Sequence, residues 1–500
     1  MTKGSDSTLA IIGGGPRAIS ILAALSQLLQ ASPERASQQL GHLRILILDP
    51  RHPSVGAVWD ERAPTGFRCN ALWEDAVFPG TNGQFVSLAT GVLREGSGFE
   101  PGTRTGRGSA GGFNEVSRGT MGRRLRSIRD QILQDLNQTV SVELLSERVA
   151  RISRPADRWI LETENARRSV GGVLDVTGTG FNGYPVSRGG RPACLQDIGP
   201  GERVEVYGLG LGAIDVINAL TLDRGGQYRY DDAALKYSRS GLEPCISAGS
   251  RSSKIRRPSW PTEGKWTATE IPRATMEAFL RSTDVAGAQQ IVEEACELSQ
   301  SETAGAGSRV NRLSEQLEEM AALDRDEAVA VQSRVARIVE AFAFRGGTLP
   351  ATHVAALSRV ASKYTSGPPL ERYAEWQALC EAKVLRFGDH KDWEDRDVSG
   401  SETWTIRAFV DPRGLSYASP LGPADSAAIA KTDPQNWRVE GFHGWWVCGH
   451  GGNHPVRGDL PRRQSAPQWQ LPAELVAADI ANFFANAGDE ASYKQRRRHN

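Results

Sequence analysis

No stretch of this 500-residue chain approaches the ~18 consecutive apolar residues that a membrane-spanning helix requires. Its opening segment, MTKGSDSTLAII, has no charged leader followed by a long apolar run and a small-residue cleavage site. Both absences predict a cytoplasmic protein with no membrane partner. Net charge is lacking too: 59 Lys and Arg balance 59 Asp and Glu. Without a basic field to hold a polyanion, nucleic acid is not expected as a main partner. The basic run from Gln495 to His499 lies at the chain's end and reads as a frayed tail. Six cysteines, at 69, 194, 245, 296, 380 and 448, form no CxxC pair. They read as free, mostly packed thiols, neither a redox dithiol nor half of a zinc site.

What is present is ordinary for globular protein. Apolar residues make up 39% and charged residues 24%, with 53 Gly and 26 Pro, which excludes global disorder and a collagen-like chain. At ~150 residues per domain the length predicts about three structural units.

Thr8 to Ile12 is a short apolar, β-favouring run. It leads into Gly13-Gly14-Gly15-Pro16-Arg17-Ala18 and then ISILAALSQLL, apolar at helical spacing. This is a strand, a glycine turn and a helix. Gly13 permits the tight turn, Gly15 lets backbone approach a pyrophosphate, and small Ala18 lets the helix close on the strand. Pro16 and Arg17 open the helix. The second strand, Arg44 to Leu48, ends in Asp49, the candidate ligand of an adenosine ribose. It lies further from the glycines than the usual ~20 residues, as a longer first helix would require. Beyond it, Gly56-Ala57-Val58-Trp59 and then Cys69-Asn70-Ala71-Leu72 are candidates to flank an isoalloxazine. Packing of Trp59 in the core is the alternative.

Alternating segments from Ser141 onward predict a meander of two or three strands that closes back on the first sheet. It ends at Val173-Leu174-Asp175-Val176-Thr177-Gly178, where Thr177 and Gly178 begin a glycine-rich turn. The strand–turn–helix pattern then repeats. Val204 to Tyr207 enters Gly208-Leu209-Gly210-Leu211-Gly212-Ala213 and the helical IDVINALTL. The following strand, Cys245 to Ala248, ends without an acid, in Gly249-Ser250-Arg251. Arg251 can fork onto a 2′-phosphate while Ser250 donates a hydroxyl, which favours NADPH over NADH. A solvated basic loop is the alternative. Two such turns about 195 residues apart fit an FAD domain with an NAD(P) domain inserted into it.

From about Ala268 to Gly346 the composition turns helical, predicting some three helices in a cap-like unit. Alternating segments resume near Lys383 and Trp404. Trp445-Trp446-Val447-Cys448-Gly449-His450 then precedes a closing helix, which would set Cys448 and Gly449 at a flavin's edge. His450 and His454, without a carboxylate pattern, are a poor metal set, and no metal is expected.

The strings IIGGGPRAISILAAL, GAVW with CNAL, SRGTMGRRL, DVTGTG, GLGLGAIDV, YSRSGLEP and AGSRSS together resemble a bacterial flavoprotein group. That group includes the nitrosuccinate-forming aspartate N-monooxygenases and the FAD-dependent urate hydroxylases. The resemblance covers Leu9 to Ser253, and more loosely Trp445 to Phe484. It implies NAD(P)H reduction of FAD, reaction with dioxygen, and oxygen transfer through a C4a-hydroperoxyflavin. Glu115-Val116-Ser117-Arg118 departs from the group, which tends to show a proline before the arginine, and the helical insert is long.

The expectation is therefore an α/β protein with two Rossmann-like dinucleotide-binding domains and a helical insert. Its divisions are residues 1–200 (FAD domain, first part), 201–265 (NAD(P) core), 266–370 (helical insert) and 371–500 (FAD domain, return). The expected activity is NADPH-using N-hydroxylation of a small polar substrate with dioxygen. The alternatives are a urate-type C-hydroxylase, a flavin reductase or oxidase, and a non-enzymatic flavin sensor. Arg118, Arg123 and Arg124 are candidate carboxylate ligands or else an ordinary basic helix face. No general base is named, because a free amine can itself accept the oxygen.

Overall fold

The structure, a computed structural model, describes residues 7–69, 77–80, 85–87, 117–155, 158–177, 184–231, 234–250, 271–297, 315, 325–345, 349, 351–364, 367–368, 370–388, 402–408, 433, 436–439, 442–448 and 466–498. In chain order the first unit has β1 (Thr8–Ile12), α1 (Pro16–Ala31), α2 (Pro33–Leu40), β2 (Arg44–Leu48), β3 (Val77–Pro79), β4 (Phe85–Ser87) and α3 (Arg118–Leu136). It continues with β5 (Ser141–Leu145), β6 (Val149–Ser153), β7 (Trp159–Thr163), β8 (Arg167–Val170) and β9 (Gly172–Asp175). The second unit opens with β10 (Val186–Arg188), β11 (Arg191–Ala193), β12 (Arg203–Tyr207), α4 (Leu211–Thr221), β13 (Gln227–Asp231), β14 (Ala234–Ser238) and β15 (Cys245–Gly249). Helices α5 (Arg273–Arg281), α6 (Val285–Ala295), α7 (Arg325–Arg345), α8 (Ala351–Tyr364) and α9 (Leu370–Glu381) follow. The chain ends with β16 (Leu385–Phe387), β17 (Trp404–Arg407), β18 (Trp445–Val447) and α10 (Ala466–Arg498).

The first sheet has the order β18-β9-β1-β2-β5, with every pair parallel. Parallel strands are covered on both faces, so both alternating sets of side chains must be apolar. In β1 and β2, Leu9, Ile11, Ile45 and Ile47 join a core with α1, α3 and α10. Ala10, Ile12, Leu46 and Leu48 face the opposite core with Trp159, Trp445 and Val447. That second layer is the β6-β7-β8 antiparallel sheet, the meander expected from the alternating pattern. Trp159 Nε1 donates to the His443 carbonyl at 3.0 Å and ties this layer to the C-terminal return.

The second sheet has the order β11-β10-β17-β12-β15-β16, parallel from β17 through β16. Its core includes Val204, Val206, Ile214 and Ile217, together with Tyr373, Trp376 and Leu379 of α9. A parallel sheet of Rossmann-like order and a mixed sheet with a parallel core match the expected fold class.

The pairing corrects the division expected at residue 371. Helix α9 and strands β16 and β17 complete the second sheet, and the return to the first sheet is made by β18. The edges of β12 and β15 left open by their mutual pairing are covered by β17 and β16, which lie beyond the helices in the chain. Among the described residues the helical insert contains four helices, α5 to α8, around a separate core of Phe279, Val292, Val335, Phe342, Leu357 and Val360. Among the described residues no helix is long and apolar enough to cross a membrane.

Candidate dinucleotide-binding sites

Gly13 follows β1 with φ +102°, and a Cβ there would lie 3.0 Å from the Val176 carbonyl oxygen. Glycine is therefore required by both dihedral angle and space. The Gly14 amide donates to Asp49 Oδ2 at 2.7 Å, and the Arg51 amide donates to Oδ1 at 2.9 Å. Asp49 thus locks the end of β2 to the glycine turn, and each oxygen keeps lone-pair capacity for a hydroxyl donor. Ala18 is buried against the sheet, and Pro16 occupies the first helical turn, where its missing N–H costs nothing.

Gly15 is the N-cap of α1, and a Cβ built on it meets nothing within 4 Å. The first turn has no acidic residue and no side-chain cap. Helix α4 repeats the arrangement, with Gly210 at its N-cap, no side-chain cap and no acid in its first turn. By contrast, Ser117 Oγ accepts from the Thr120 amide at the start of α3, and Asp284 Oδ1 accepts from the Gly287 amide at the start of α6. The two helices that follow glycine turns are thus left with amides that an anion would satisfy. Together with the open space at Gly15, this donor set fits a dinucleotide pyrophosphate.

Other candidates gather at the same carboxyl edge of the first sheet, where parallel α/β sheets bind ligands. Thr177 follows β9, and its amide and hydroxyl both donate to Asp175 Oδ1, at 3.0 and 2.7 Å. Cys448 follows β18, and its amide donates to the Asp175 carbonyl at 3.0 Å. Burial pushes the Cys448 thiol above its ordinary value, while nearby Arg17 pulls it back. Loss of water lowers Arg17 in turn, with Cys448 opposing. Gly56 has φ +72° and presses its backbone on Gly15. Trp59 is buried, its Nε1 finds no hydrogen-bond partner among the described residues, and its carbonyl would lie 2.0 Å from a Cβ on Gly122. An orphaned buried donor three residues beyond Gly56, which packs on Gly15, is a second feature that fits a bound cofactor.

In the second unit, Gly208 has φ +127° and donates its amide to the Gly249 carbonyl at 2.7 Å, closing β12 onto β15. A Cβ on Gly212 would fall 2.3 Å from the Ala408 carbonyl oxygen, so α4 packs backbone to backbone against the chain after β17. Ala213 is fully buried beneath it, and Ser250 stands at the end of β15 on the same edge. Asn70, Gly178, Arg251 and Gly449 lie outside the described residues, as do His450 and His454.

The arginines of α3 have structural partners. Arg118 Nη2 lies 2.7 Å from Asp215 Oδ2 on α4, so this side chain is committed to an ion pair between the units. Arg123 donates to Thr120 Oγ1 at 3.0 Å on the helix surface. Arg124 is buried and lowered to about 10 by that burial. Asp215 was missed in the sequence reading, although an acid within the otherwise apolar IDVINAL is a legible signal for a buried partner.

Residues 10–176 match the FAD-NAD(P)-binding family. The nitrosuccinic acid synthase of Aspergillus oryzae is 26% identical over 264 residues, covering 49% of this chain and 40% of that protein. The nitrosuccinate-forming L-aspartate N-monooxygenase of Streptomyces cremeus is 25% identical over 287 residues, covering 49% and 42%. The chain therefore spans about two fifths of the length of these curated relatives. Among solved structures, OTEMO in complex with FAD and NADP superposes with a TM-score of 0.42 at 13% identity, covering 98% of this chain and 86% of that one.

Proposed function

We propose that this chain is an FAD- and NADPH-dependent monooxygenase that hydroxylates a small polar substrate, with dioxygen, at an amine nitrogen. The observation that carries the reading is the pair of uncapped, glycine-led helices, α1 and α4, at the carboxyl ends of the parallel strands of two sheets. Two dinucleotide sites in one chain are what a reductant and a resident flavin require. The relatives named for nitrosuccinate formation support an amino-acid amine as substrate, with aspartate the first to try.

When bound, FAD would supply the redox and oxygen-activating chemistry. The residues assigned to it are Gly13, Gly15, Pro16, Arg17 and Ala18 at the pyrophosphate and Asp49 at the ribose. Trp59, Asn70, Thr177, Gly178, Cys448 and Gly449 are assigned around the ring. Gly208, Gly210, Gly212 and Ala213 receive the second pyrophosphate, with Ser250 and Arg251 at the 2′-phosphate. The buried walls Trp59, Val447 and Cys448 exclude water from this edge. No side chain is assigned as a general base, because the substrate's free amine accepts the oxygen directly. The reading places the protein in the cytoplasm.

The test is anaerobic mixing of the FAD-loaded protein with NADPH or NADH, followed by admission of air with and without small amines. Bleaching faster with NADPH, followed by a hydroxylated amine in step with NADPH consumed, is the expected result. Peroxide release without product would make the protein an oxidase or reductase. Hydroxylation of a purine carbon alone would make it a C-hydroxylase. Bound flavin that neither nucleotide reduces would remove the enzyme reading.

A further inference from the structure

The segment Thr65–Arg68, which follows the Trp59 turn of the first unit, is docked on the second. The Gly66 amide donates to Asp223 Oδ1 at 2.8 Å, and the Thr65 hydroxyl donates to the same oxygen. Asn218 Nδ2 donates to the Gly66 carbonyl at 3.2 Å, and a Cβ on Gly66 would lie 2.8 Å from the Asn218 carbonyl carbon. The Phe67 ring meets Tyr184 edge-on at 5.7 Å. Arg68 donates to Glu375, which Arg372 of α9 also holds.

The same segment is fastened to α3 of its own unit, because the Arg118 amide donates to the Phe67 carbonyl at 2.7 Å. The Arg118 guanidinium then reaches Asp215 Oδ2 at 2.7 Å, and Tyr184 donates its hydroxyl to that oxygen at 2.6 Å. Asp215 is 1% exposed and its Oδ1 has no partner among the described residues. An ion pair buried at this cost is weak as a stabiliser, and its best use is to specify one arrangement.

The place of the pair decides which arrangement. Arg118 opens α3, whose Gly122 is pressed on the Trp59 backbone, and Asp215 lies on α4, the helix that begins at the second glycine turn. One ion pair therefore joins the frames that carry the two cofactor sites.

We propose that Arg118, Asp215 and Tyr184 are positioning residues that hold the second dinucleotide-binding unit in register with the first and so set the rate at which bound NADPH reduces the flavin. Resting on the functional reading above, the inference follows from how steeply transfer between two held partners depends on alignment, where a 1 Å error costs about a hundredfold.

Arg118→Lys and Tyr184→Phe in the FAD-loaded enzyme test it, because both keep charge or bulk. Stopped-flow reduction across NADPH concentrations separates the limiting rate from the dissociation constant. The expected result is a limiting rate per bound flavin lowered about tenfold or more, with the NADPH dissociation constant within about twofold of the parent. A merely structural role would lower flavin content or thermal midpoint and leave the rate per bound flavin unchanged, which overturns the proposal. Hydrogen exchange of peptides spanning residues 62–69, without nucleotide, is the second arm. Faster exchange at Gly66 in the variants supports release of the docked segment, and unchanged exchange overturns it. A parent enzyme that NADPH fails to reduce would instead sink the functional reading, and the exchange arm would still decide whether the pair holds the two units together.

Discussion

A Cβ on Gly56 would sit 3.3 Å from the Cα of Gly15, so the backbones of two turns from different parts of the chain touch with no side chain between them. Gly56 also has φ +72°, where an L side chain is strained. Gly15 differs: its φ of −76° suits any residue, and the space a Cβ would enter is open. Gly15→Ala is therefore expected to change apoprotein stability by no more than ~0.5 kcal/mol while weakening FAD retention by about tenfold or more. Gly56→Ala is expected to lower both. Chemical denaturation of apoprotein, paired with flavin titration, checks the contrast.

At Gly212 a methyl group would collide with the Ala408 carbonyl oxygen at 2.3 Å, and backbone cannot rotate away. Gly212→Ala should shift α4 off the second sheet and cost ~1–3 kcal/mol as an overpacking change. NADPH binding should fall while FAD content holds. Isothermal titration with NADP⁺, beside the visible spectrum of the purified variant, checks the division.

Two buried aspartates give stability opposite dependences on pH. Burial pushes Asp215 up to about 6, against the pull of Arg118, Tyr184 and Arg372. The folded state then binds its proton more tightly than the unfolded chain does. This contribution is fully present below the unfolded value near 4 and is lost as pH rises through about 6. Asp60 is lowered to about 2 by Arg62, with Ser54 assisting against the cost of burial. Its contribution is present above about 4 and is lost as pH falls toward 2. Denaturation of the parent and of Asp215→Asn between pH 4 and 7 should diverge, the parent losing relative stability on the alkaline side. Parallel curves would remove the assignment.

Trp446 Nε1 donates to Asp479 Oδ2 at 2.7 Å, and Arg438 donates to the same oxygen, so one carboxylate pins α10 to β18. Trp446→Phe removes one donor and part of a fully buried ring. It is expected to cost at least ~1 kcal/mol and to expose the C-terminal helix to early proteolysis. Limited digestion followed by mass analysis reads the cut site.

The first glycine turn and the strands beside it were legible because each of these parts is local. Thr8 to Ile12 and Arg44 to Leu48 are continuous apolar runs, as strands covered on two faces must be, and the glycines stand at their ends. The sheet to which the alternating segment near Lys383 belongs was not legible. Leu385–Phe387 has three residues, and its partner β15 lies beyond the whole helical insert, so nothing local links the two. The role of Arg118 was hidden for a related reason: a basic residue opening an amphipathic helix looks alike whether it meets solvent, substrate or a carboxylate nearly a hundred residues away. Only the docking of two units separates those outcomes.

Both sheets are finished by strands that are synthesised late. Strand β15 waits for residues 385–387, β12 for residues 404–407 and β9 for residues 445–447. A chain leaving the ribosome N-terminus first thus carries unfinished sheet edges until those residues emerge, with bare amides and carbonyls that invite the wrong partner. The helical unit occupies that interval with a core sharing no buried residue with the second sheet. The order of manufacture makes residues 404–407 and 445–447, far from either glycine turn, the points at which the second and the first sheet are complete.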